Sequence, residues 1–321
     1  MRLTAQEIYN KLINEDKILT LKGQINFYLG DVNIIVKQKD VVGNIMQEWL
    51  QGWMDSNNIE YAPDTNSQMP PDFYLNPDDK TKNLLEVKAF NRSKTPAFDI
   101  ADFRMYASEI LEKPYMLNVD YLIFGYDMSI DGVVTIKDIW LKKVWQITRR
   151  MENYPINLQV KNGIIHKIRP GIWYTDKPKD YKVFDSLEDF ISAMEETTFK
   201  EPKLRDSIAS TWLTKFNKAY KSQYNKELDV PRWNDIKKKY EVGNIRKYEK
   251  ALEKKKSKEE KLAKCQERVL KWVSKLENST TEKQRTTAEE KLAKAHNSLE
   301  TIKKEIEDIK KDIEKYSNLI S

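Results

Sequence analysis

The C-terminal quarter of the chain has a composition that permits little except long helix. Beyond residue 238 there is no proline and one glycine, Gly243. Apolar side chains then recur three and four residues apart without interruption, at Leu292, Ala295, Leu299, Ile302, Ile306, Ile309, Ile313 and Tyr316. This spacing is typical of helices that pack against each other along one apolar seam. The pattern therefore predicts long helices from about residue 238 onward.

A second, shorter seam precedes this one. It consists of Leu262, Cys265, Val269, Trp272 and Leu276. The polar segment Glu277–Thr281 between the two seams predicts a turn, so the simplest arrangement is an antiparallel helical hairpin, a coiled coil within one chain. Pairing with a second chain is the alternative way to bury both seams. Because Cys265 lies on the seam, we interpret it as a small core residue rather than a nucleophile.

The composition fits an intracellular protein with a substantial core. Of the 321 residues, 40% are apolar, which argues against wholesale disorder. A single cysteine excludes a disulfide scaffold and fits a reducing compartment. No apolar run approaches the ~20 residues of a membrane span, and the N-terminus lacks the apolar core of a signal peptide. We therefore expect a cytoplasmic location and no membrane partner.

The basic charge of the chain is concentrated in one segment. The whole chain has 56 Lys and Arg against 50 Asp and Glu, a net charge of +6. Lys237–Lys275 alone contains fifteen basic and six acidic residues, or about +9. Such a segment can contact nucleic-acid phosphates, or it can be a solvated helix face. Net charge does not choose between these alternatives.

The first half of the chain alternates predicted helices and strands. Helices are predicted at Val41–Met54, Asp99–Glu112 and through Trp140–Ile147, and strands at Phe73–Leu75, Asn83–Phe90, Asp120–Tyr126 and Gly132–Ile136. This order predicts an α/β fold in which helices flank a mixed sheet. We expect three segments: a core over residues 1–180, a helical extension over 181–236 and a helical hairpin arm over 237–321.

Two acids and a lysine are predicted to converge within this sheet. Side chains in a strand alternate between the two faces, so Glu86 and Lys88 project together while their neighbours face the core. The turn at Asn76–Asp79 folds the preceding strand back and places Asp72 beside Glu86. Two close carboxylates need a proton or a cation between them, and Mg²⁺ binds carboxylates together with water and phosphate oxygens. The set predicts phosphodiester hydrolysis, with Lys88 positioning the attacking water.

This pattern is short, and a purely structural explanation exists for it. Glu86 and Lys88 can form an ion pair on an edge strand, with Asp72 capping a turn. The apolar strand around them favours the functional interpretation, because it is a costly place for charge without a role. Glu48, on the helix upstream, is the candidate for a third carboxylate with a metal-binding and catalytic role. Simple surface exposure is its alternative.

Several segments together share the pattern of a known group of nucleases. They are Gly43–Leu50, Pro71–Leu75 and Leu84–Phe90, continued by Asp120–Tyr126 and Ile139–Trp145. In these segments the chain resembles the PD-(D/E)XK superfamily and, more narrowly, type II restriction endonucleases of the NgoBV/NlaIV group. The resemblance covers about residues 1–200 and implies a restriction-endonuclease-like fold. It assigns Asp72 and Glu86 as metal ligands, Lys88 as the catalytic lysine and, less directly, Glu48 as a further ligand.

The resemblance also implies a substrate, a cofactor and partners. It implies Mg²⁺-dependent cleavage of double-stranded DNA at a short palindrome, with GGNNCC as the candidate sequence. A homodimer is expected from the two-fold symmetry of such a site. A cognate DNA methyltransferase is expected in the same bacterial system, without a stable complex between the two enzymes.

Residues that could contact DNA are polar and lie close in sequence to the proposed catalytic elements. The candidates are Gln38, Lys39, Asn91, Arg92 and Lys94. Arginine and asparagine favour guanine and adenine edges, respectively, and lysine contacts phosphates. An ordinary solvated position is the alternative for each of them.

Two other functions stay open at this point. A repair or recombination nuclease on the same core would prefer a DNA structure over a sequence. A non-catalytic DNA-binding or scaffolding protein would use the helical arm for assembly, and the acidic pair would then be incidental.

Overall fold

The chain divides into two units, Met1–Tyr240 and Glu241–Ser321, in a computed structural model that describes residues 1–64, 69–175 and 178–320. The strands are β1 (Lys22–Gln24), β2 (Asn26–Leu29), β3 (Val32–Ile35), β4 (Ala62–Pro63), β5 (Phe73–Tyr74), β6 (Leu84–Asn91), β7 (Ala101–Asp102), β8 (Asp120–Met128), β9 (Val133–Lys142), β10 (Leu158–Lys161) and β11 (Ile164–Ile168). The α-helices are α1 (Ala5–Asn10), α2 (Val42–Ser56), α3 (Phe103–Glu109), α4 (Val144–Ile147), α5 (Leu187–Thr198), α6 (Pro202–Arg205), α7 (Ala209–Tyr224), α8 (Trp233–Ile236), α9 (Gly243–Glu277) and α10 (Glu282–Ile320).

A mixed sheet forms the centre of the first unit. Its described strands run in the order β1-β9-β8-β6-β5-β4, and β6 and β8 are parallel while the other neighbours are antiparallel. The parallel register places Glu86 opposite Tyr121 and Lys88 opposite Ile123. Separately from this sheet, β10, β11 and β7 pair with one another, and β2 and β3 form a hairpin.

Each face of the central sheet carries its own apolar core. On one face, Leu85 and Val87 of β6 pack in the same cluster as the buried residues of α2. On the other face, Tyr121 and Ile123 of β8 pack with buried residues of α3, α5, α7 and α8. Because side chains alternate along a strand, Glu86 lies on the second face, together with Tyr121 and the later helices. The helices between residues 187 and 236 therefore help to enclose the face that carries the charged pair.

The prediction of a helix through Trp140–Ile147 is wrong for the first half of that segment. Strand β9 continues to Lys142, with Trp140 paired opposite Ile123 of β8. Only Val144–Ile147 is helical. Local periodicity favoured helix here, but pairing along the whole length of β8 satisfies the backbone hydrogen bonds of a central strand.

The second unit is an antiparallel pair of long helices, α9 and α10. The eight residues of the predicted longer seam are all buried or half-buried, as are the five of the shorter seam. Lys258 of α9 forms an ion pair with Glu305 of α10, and the Cys265 thiol donates to the Ala295 carbonyl oxygen at 3.4 Å. Cys265 is 4% exposed, which confirms its interpretation as a core residue.

None of the helices in the described part of the chain combines the length and the apolar character that a membrane span requires.

Candidate active site

Strand β6 presents Glu86 and Lys88 side by side in the interior of the first unit. The Lys88 Nζ atom lies 2.6 Å from Glu86 Oε1, and Glu86 is only 4% exposed. A buried ion pair needs good geometry to offset the cost of removing both charges from water. The pair therefore lies in an environment where electrostatic interactions are strong.

Asp72 is held against β6 by the antiparallel pairing of β5 with β6. Its backbone N–H donates to the Leu85 carbonyl oxygen at 3.0 Å, and its carboxylate Oδ2 accepts from the Val87 N–H at 2.7 Å. Val87 is the residue between Glu86 and Lys88. The structure thus brings Asp72, Glu86 and Lys88 together.

Burial and mutual charge shift all three groups. Burial raises the pKa of Glu86 to about 7, the Lys88 charge opposes that rise, and the Asp72 charge adds to it. Burial also raises the pKa of Asp72, against the hydrogen bond from the Val87 N–H. Burial lowers the pKa of Lys88, but the negative charges of Glu86, Asp72 and Asp99 outweigh it and leave that pKa raised. Both acids are therefore in environments that resist ionisation, and the lysine stays protonated.

The oxygen atoms at this site fit a hard divalent cation. The Glu86 Oε2 atom is buried and has no hydrogen-bond partner among the described residues. An unpartnered buried carboxylate oxygen is costly unless a ligand satisfies it. Together with the Asp72 carboxylate it could supply two oxygen ligands to a hard divalent cation such as Mg²⁺, which keeps several waters. Within the described ranges, no group of three or more His, Cys, Asp or Glu residues is placed to hold a metal ion.

The structure does not bring Glu48 to this pair, and its role as a third ligand stays a prediction. It is exposed, and the buried side of α2 is formed by Val42, Met46, Leu50 and Met54. That helix covers the face of the sheet occupied by Leu85 and Val87. The sheet therefore separates Glu48 from Glu86, because alternate residues of β6 project to opposite faces.

Asp99 is an acid near the site that sequence reasoning assigned only to the start of a helix. Its charge raises the pKa of Lys88, and its Oδ1 atom lies 3.2 Å from the Arg169 Nε atom. Helix α3 in fact begins at Phe103, with Asp102 accepting from the Met105 N–H at 3.1 Å. Asp99 reaches Lys88 because the chain after β6 folds back, and no local pattern in the sequence signals that path.

The residues predicted to contact DNA differ in solvent exposure and in their contacts within the protein. Gln38, Lys39 and Lys94 are exposed. Asn91 is buried, and its Oδ1 atom accepts from the Ser93 N–H and hydroxyl group. Arg92 forms an ion pair with Asp138 at 2.5 Å, and its guanidinium carbon lies 4.3 Å from the Tyr174 ring centroid. Asn91 and Arg92 thus already have partners within the protein.

The model of the NgoBV restriction endonuclease family matches residues 2–240 of the chain. The chain belongs to the NgoBV restriction endonuclease family. It is therefore a type II restriction endonuclease, an enzyme that cleaves DNA, as the sequence predicts. The match reaches beyond the 200 residues of the expected resemblance and includes helices α5 to α8.

Individual members of this family are closely similar to the chain. It is 61% identical to the type II restriction enzyme NlaIV of Neisseria lactamica over 240 residues, which are 75% of this chain and 98% of that enzyme. It is 58% identical to the type II restriction enzyme NgoBV of Neisseria gonorrhoeae over 163 residues, which are 51% of this chain and 93% of that enzyme.

A solved structure of the NlaIV restriction endonuclease matches the fold. The TM-score is 0.72 at 61% sequence identity, over 75% of this chain and 97% of the other. This match confirms the predicted mixed sheet flanked by helices.

Proposed function

We propose that this restriction endonuclease uses Mg²⁺, held by Asp72 and Glu86, to cleave both strands of duplex DNA at a short palindrome. The observation that carries the proposal is the buried cluster on β6, where two carboxylates and one ammonium group meet within an apolar sheet. GGNNCC is the first sequence to test. A companion DNA methyltransferase would protect the same sequence in the host without forming a stable complex with this enzyme.

Each member of the cluster has a distinct proposed role. Asp72 and Glu86 would hold the cation, and the Val87 N–H orients Asp72 for this task. When bound, the cation would supply Lewis-acid stabilisation of the scissile phosphate and a more acidic water. Lys88 stays protonated and would hold the attacking water and stabilise negative charge on the phosphoryl oxygens. Glu48 has no role in this proposal, because the sheet lies between it and Glu86.

Digestion of a sequenced phage DNA with the full-length enzyme tests the reaction and the sequence together. With Mg²⁺ we expect discrete fragments whose ends all map to one short palindrome. With Ca²⁺ we expect DNA binding without cleavage. Efficient cleavage without a divalent ion would contradict the metal assignment. Cleavage only at branched or damaged DNA would favour the repair nuclease that the sequence left open.

We also propose that the enzyme acts as a homodimer, and the hairpin β2–β3 supports this proposal. Phe27 pairs with Ile34, and Leu29 with Val32, so these four side chains share one face. They are 54%, 51%, 72% and 63% exposed in the order Phe27, Ile34, Leu29, Val32. An isolated two-stranded hairpin is marginally stable in water, so an uncovered apolar face of this kind indicates an interface.

A second copy of the chain suits this face better than DNA does. Residues 23–36 contain one acid, Asp31, and no lysine or arginine, so the hairpin lacks the cations that phosphates require. Tyr28 and Ile35, on the opposite face of the hairpin, are also exposed, at 67% and 40%. A cleft of about 200 Å³, lined in part by Leu21, Ile45 and Trp49, lies beside β1, the strand that precedes the hairpin.

Sedimentation measurements on the full-length protein test the hairpin interface without any need for activity. Wild type should be a dimer, and Leu29→Lys should be monomeric at the same concentration. Ile164→Lys is the matched control, because Ile164 is a half-exposed strand residue outside the hairpin. A monomeric wild type, or a Leu29→Lys protein that dimerises as well as wild type, would refute this interface.

A further inference from the structure

A cleft of about 400 Å³ lies beside the active site and is lined by arginines. Its walls include Thr95, Ala97, Arg149, Asn157, Arg169 and Gly171. Among the residues that the structure describes, this lining has two guanidinium groups and no carboxylate. The cleft is outside the Asp72–Glu86–Lys88 cluster, and its cations have no part in the chemistry proposed above.

The two arginines of the cleft differ in their partners. Arg169 is paired with Asp99 at 3.2 Å and also donates to the Ala97 carbonyl oxygen. Arg149 is half-buried and donates a hydrogen bond to the Arg150 carbonyl oxygen at 3.2 Å. Asp180 acts on Arg149 electrostatically, but no described carboxylate forms an ion pair with it. Burial lowers the pKa of Arg149, so the described residues around it do not fully compensate its charge.

The backbone and a glycine fix the position of Arg149. Its backbone carbonyl oxygen accepts from the Asn157 N–H at 2.7 Å, and its strand-like segment bridges to Val183. A Cβ atom at Gly171 would lie 2.9 Å from Cγ and Cδ of Arg149, so the arginine stem lies directly on the glycine backbone. The Tyr181 ring centroid is 5.7 Å from the guanidinium carbon. Arg149 is therefore held in place before any ligand arrives.

A short chain of charges connects the cleft to the catalytic lysine. Asp99 acts electrostatically on Lys88 and is ion-paired with Arg169, which lines the cleft. The wall formed by Thr95–Ala97 belongs to the segment that leaves β6 only a few residues after Lys88. The cleft and Lys88 are thus linked through Asp99 and Arg169, and both lie on or next to the segment that follows β6.

We propose that the cleft binds a backbone phosphate of the DNA substrate, with Arg149 as its principal cation. This inference rests on the proposed function, since it takes duplex DNA as the ligand. A guanidinium group presents several N–H donors in a plane and matches phosphate oxygens in a bidentate contact. Such a contact fixes the register of the protein on DNA and does not read the sequence.

DNA binding by the full-length enzyme without divalent metal tests the proposal. Fluorescent duplexes with and without GGNNCC are titrated at several salt concentrations, with wild type and Arg149→Met. We expect about tenfold weaker binding at low salt, equally for both duplexes, given the energy of hydrogen bonds to charged groups. The slope of log affinity against log salt should fall by about one. Arg205→Met is the matched control, because Arg205 is an exposed arginine outside the cleft.

A second variant and a kinetic measurement guard against simple misfolding. Gly171→Ala keeps the charge but displaces the arginine stem, so it should weaken binding in the same direction. Arg149→Lys should recover part of the salt slope. Steady-state cleavage should show a raised KM with kcat within about threefold, because the contact is made before the chemical step. A salt slope unchanged in Arg149→Met would overturn the phosphate site while leaving the proposed cleavage intact. Absence of both binding and cleavage by wild type would instead refute the proposed function.

Discussion

The two units of this protein differ in how deeply they bury a paired carboxylate. In the first unit the side chains of the ion pair Glu86–Lys88 are 5% and 21% exposed. In the second unit the pair Lys258–Glu305 joins two helices, and its side chains are 22% and 44% exposed. The buried apolar residues of the described second unit are few: Cys265, Ala288, Ala295, Ile306 and Ile309. The sheet, with an apolar core on each face, therefore excludes more water from its paired carboxylate than the two-helix seam does.

Removing the lysine of each ion pair should change the DNA cleavage rate by very different amounts. Lys88→Ala should lower the cleavage rate by about 10³-fold, the loss typical for removing a group that stabilises transition-state charge. Lys258→Ala should change it less than about twofold, because partly exposed ion pairs contribute ~0–1 kcal/mol to stability. Plasmid cleavage under single-turnover conditions measures both variants. Comparable decreases in the cleavage rate of the two variants would contradict the proposal that only the first ion pair takes part in catalysis.

Core truncations should separate the stabilities of the units. Phe124→Ala removes a fully buried ring from the sheet and should cost about 3–5 kcal/mol of unfolding free energy. Ile306→Ala, in the helix pair, should cost about 2 kcal/mol, near the low end for such truncations, because a two-helix seam can partly collapse around the missing atoms. Urea unfolding followed by circular dichroism measures both. A larger loss for Ile306→Ala than for Phe124→Ala would show that the arm, and not the sheet, dominates stability.

The pH dependence should reveal the buried acid. Glu86 has a folded pKa of about 7, raised from its ordinary value of 4.5, so folding favours its protonated form. Its contribution to the stability of the metal-free enzyme is present below pH 4.5 and is lost as pH rises through about 7. For the same reason, cleavage at limiting Mg²⁺ should increase with pH up to about 7, as the ligand ionises. Glu86→Gln should remove this component of the stability profile, and a profile unchanged by that substitution would contradict the assignment.

The smallest expected effect concerns the arm itself. The family match ends at residue 240, and 240 residues of this chain cover 98% of the NlaIV enzyme. A chain ending at Tyr240 should therefore fold and cleave DNA at a rate within about threefold of the full chain. Loss of discrete cleavage after this truncation would assign the arm a part in DNA binding or assembly. Restored binding at low salt would then point to the basic segment of α9.

Much of the candidate site was predictable because it depends on local rules. Alternation along β6 places Glu86 and Lys88 on one face, and the turn before that strand returns Asp72 to it. The helical arm was predictable for a similar reason, since its seams repeat every three to four residues over long stretches. Cys265 lies where that repeat places it.

Other features depended on contacts between distant parts of the chain. Trp140 lies in a strand because β9 pairs with β8 over its whole length, which outweighs a local helical spacing. Glu48 is remote from Glu86 because α2 packs on the opposite face of the sheet. Asp99 reaches Lys88, and Arg149 reaches the neighbouring cleft, through segments that no short pattern connects.

Local sequence patterns indicate which residues can share a face, where the long helices lie and which chemistry a buried Asp, Glu and Lys can perform. Periodicity and side-chain chemistry are local properties, so both can be inferred from the amino-acid sequence alone. The tertiary structure decided which face of the sheet is enclosed, which acids and cations surround Lys88 and which ionisable groups lose contact with water. Those outcomes depend on long-range packing, and burial is what shifts the pKa of Glu86 and leaves the charge of Arg149 incompletely compensated by the described residues around it.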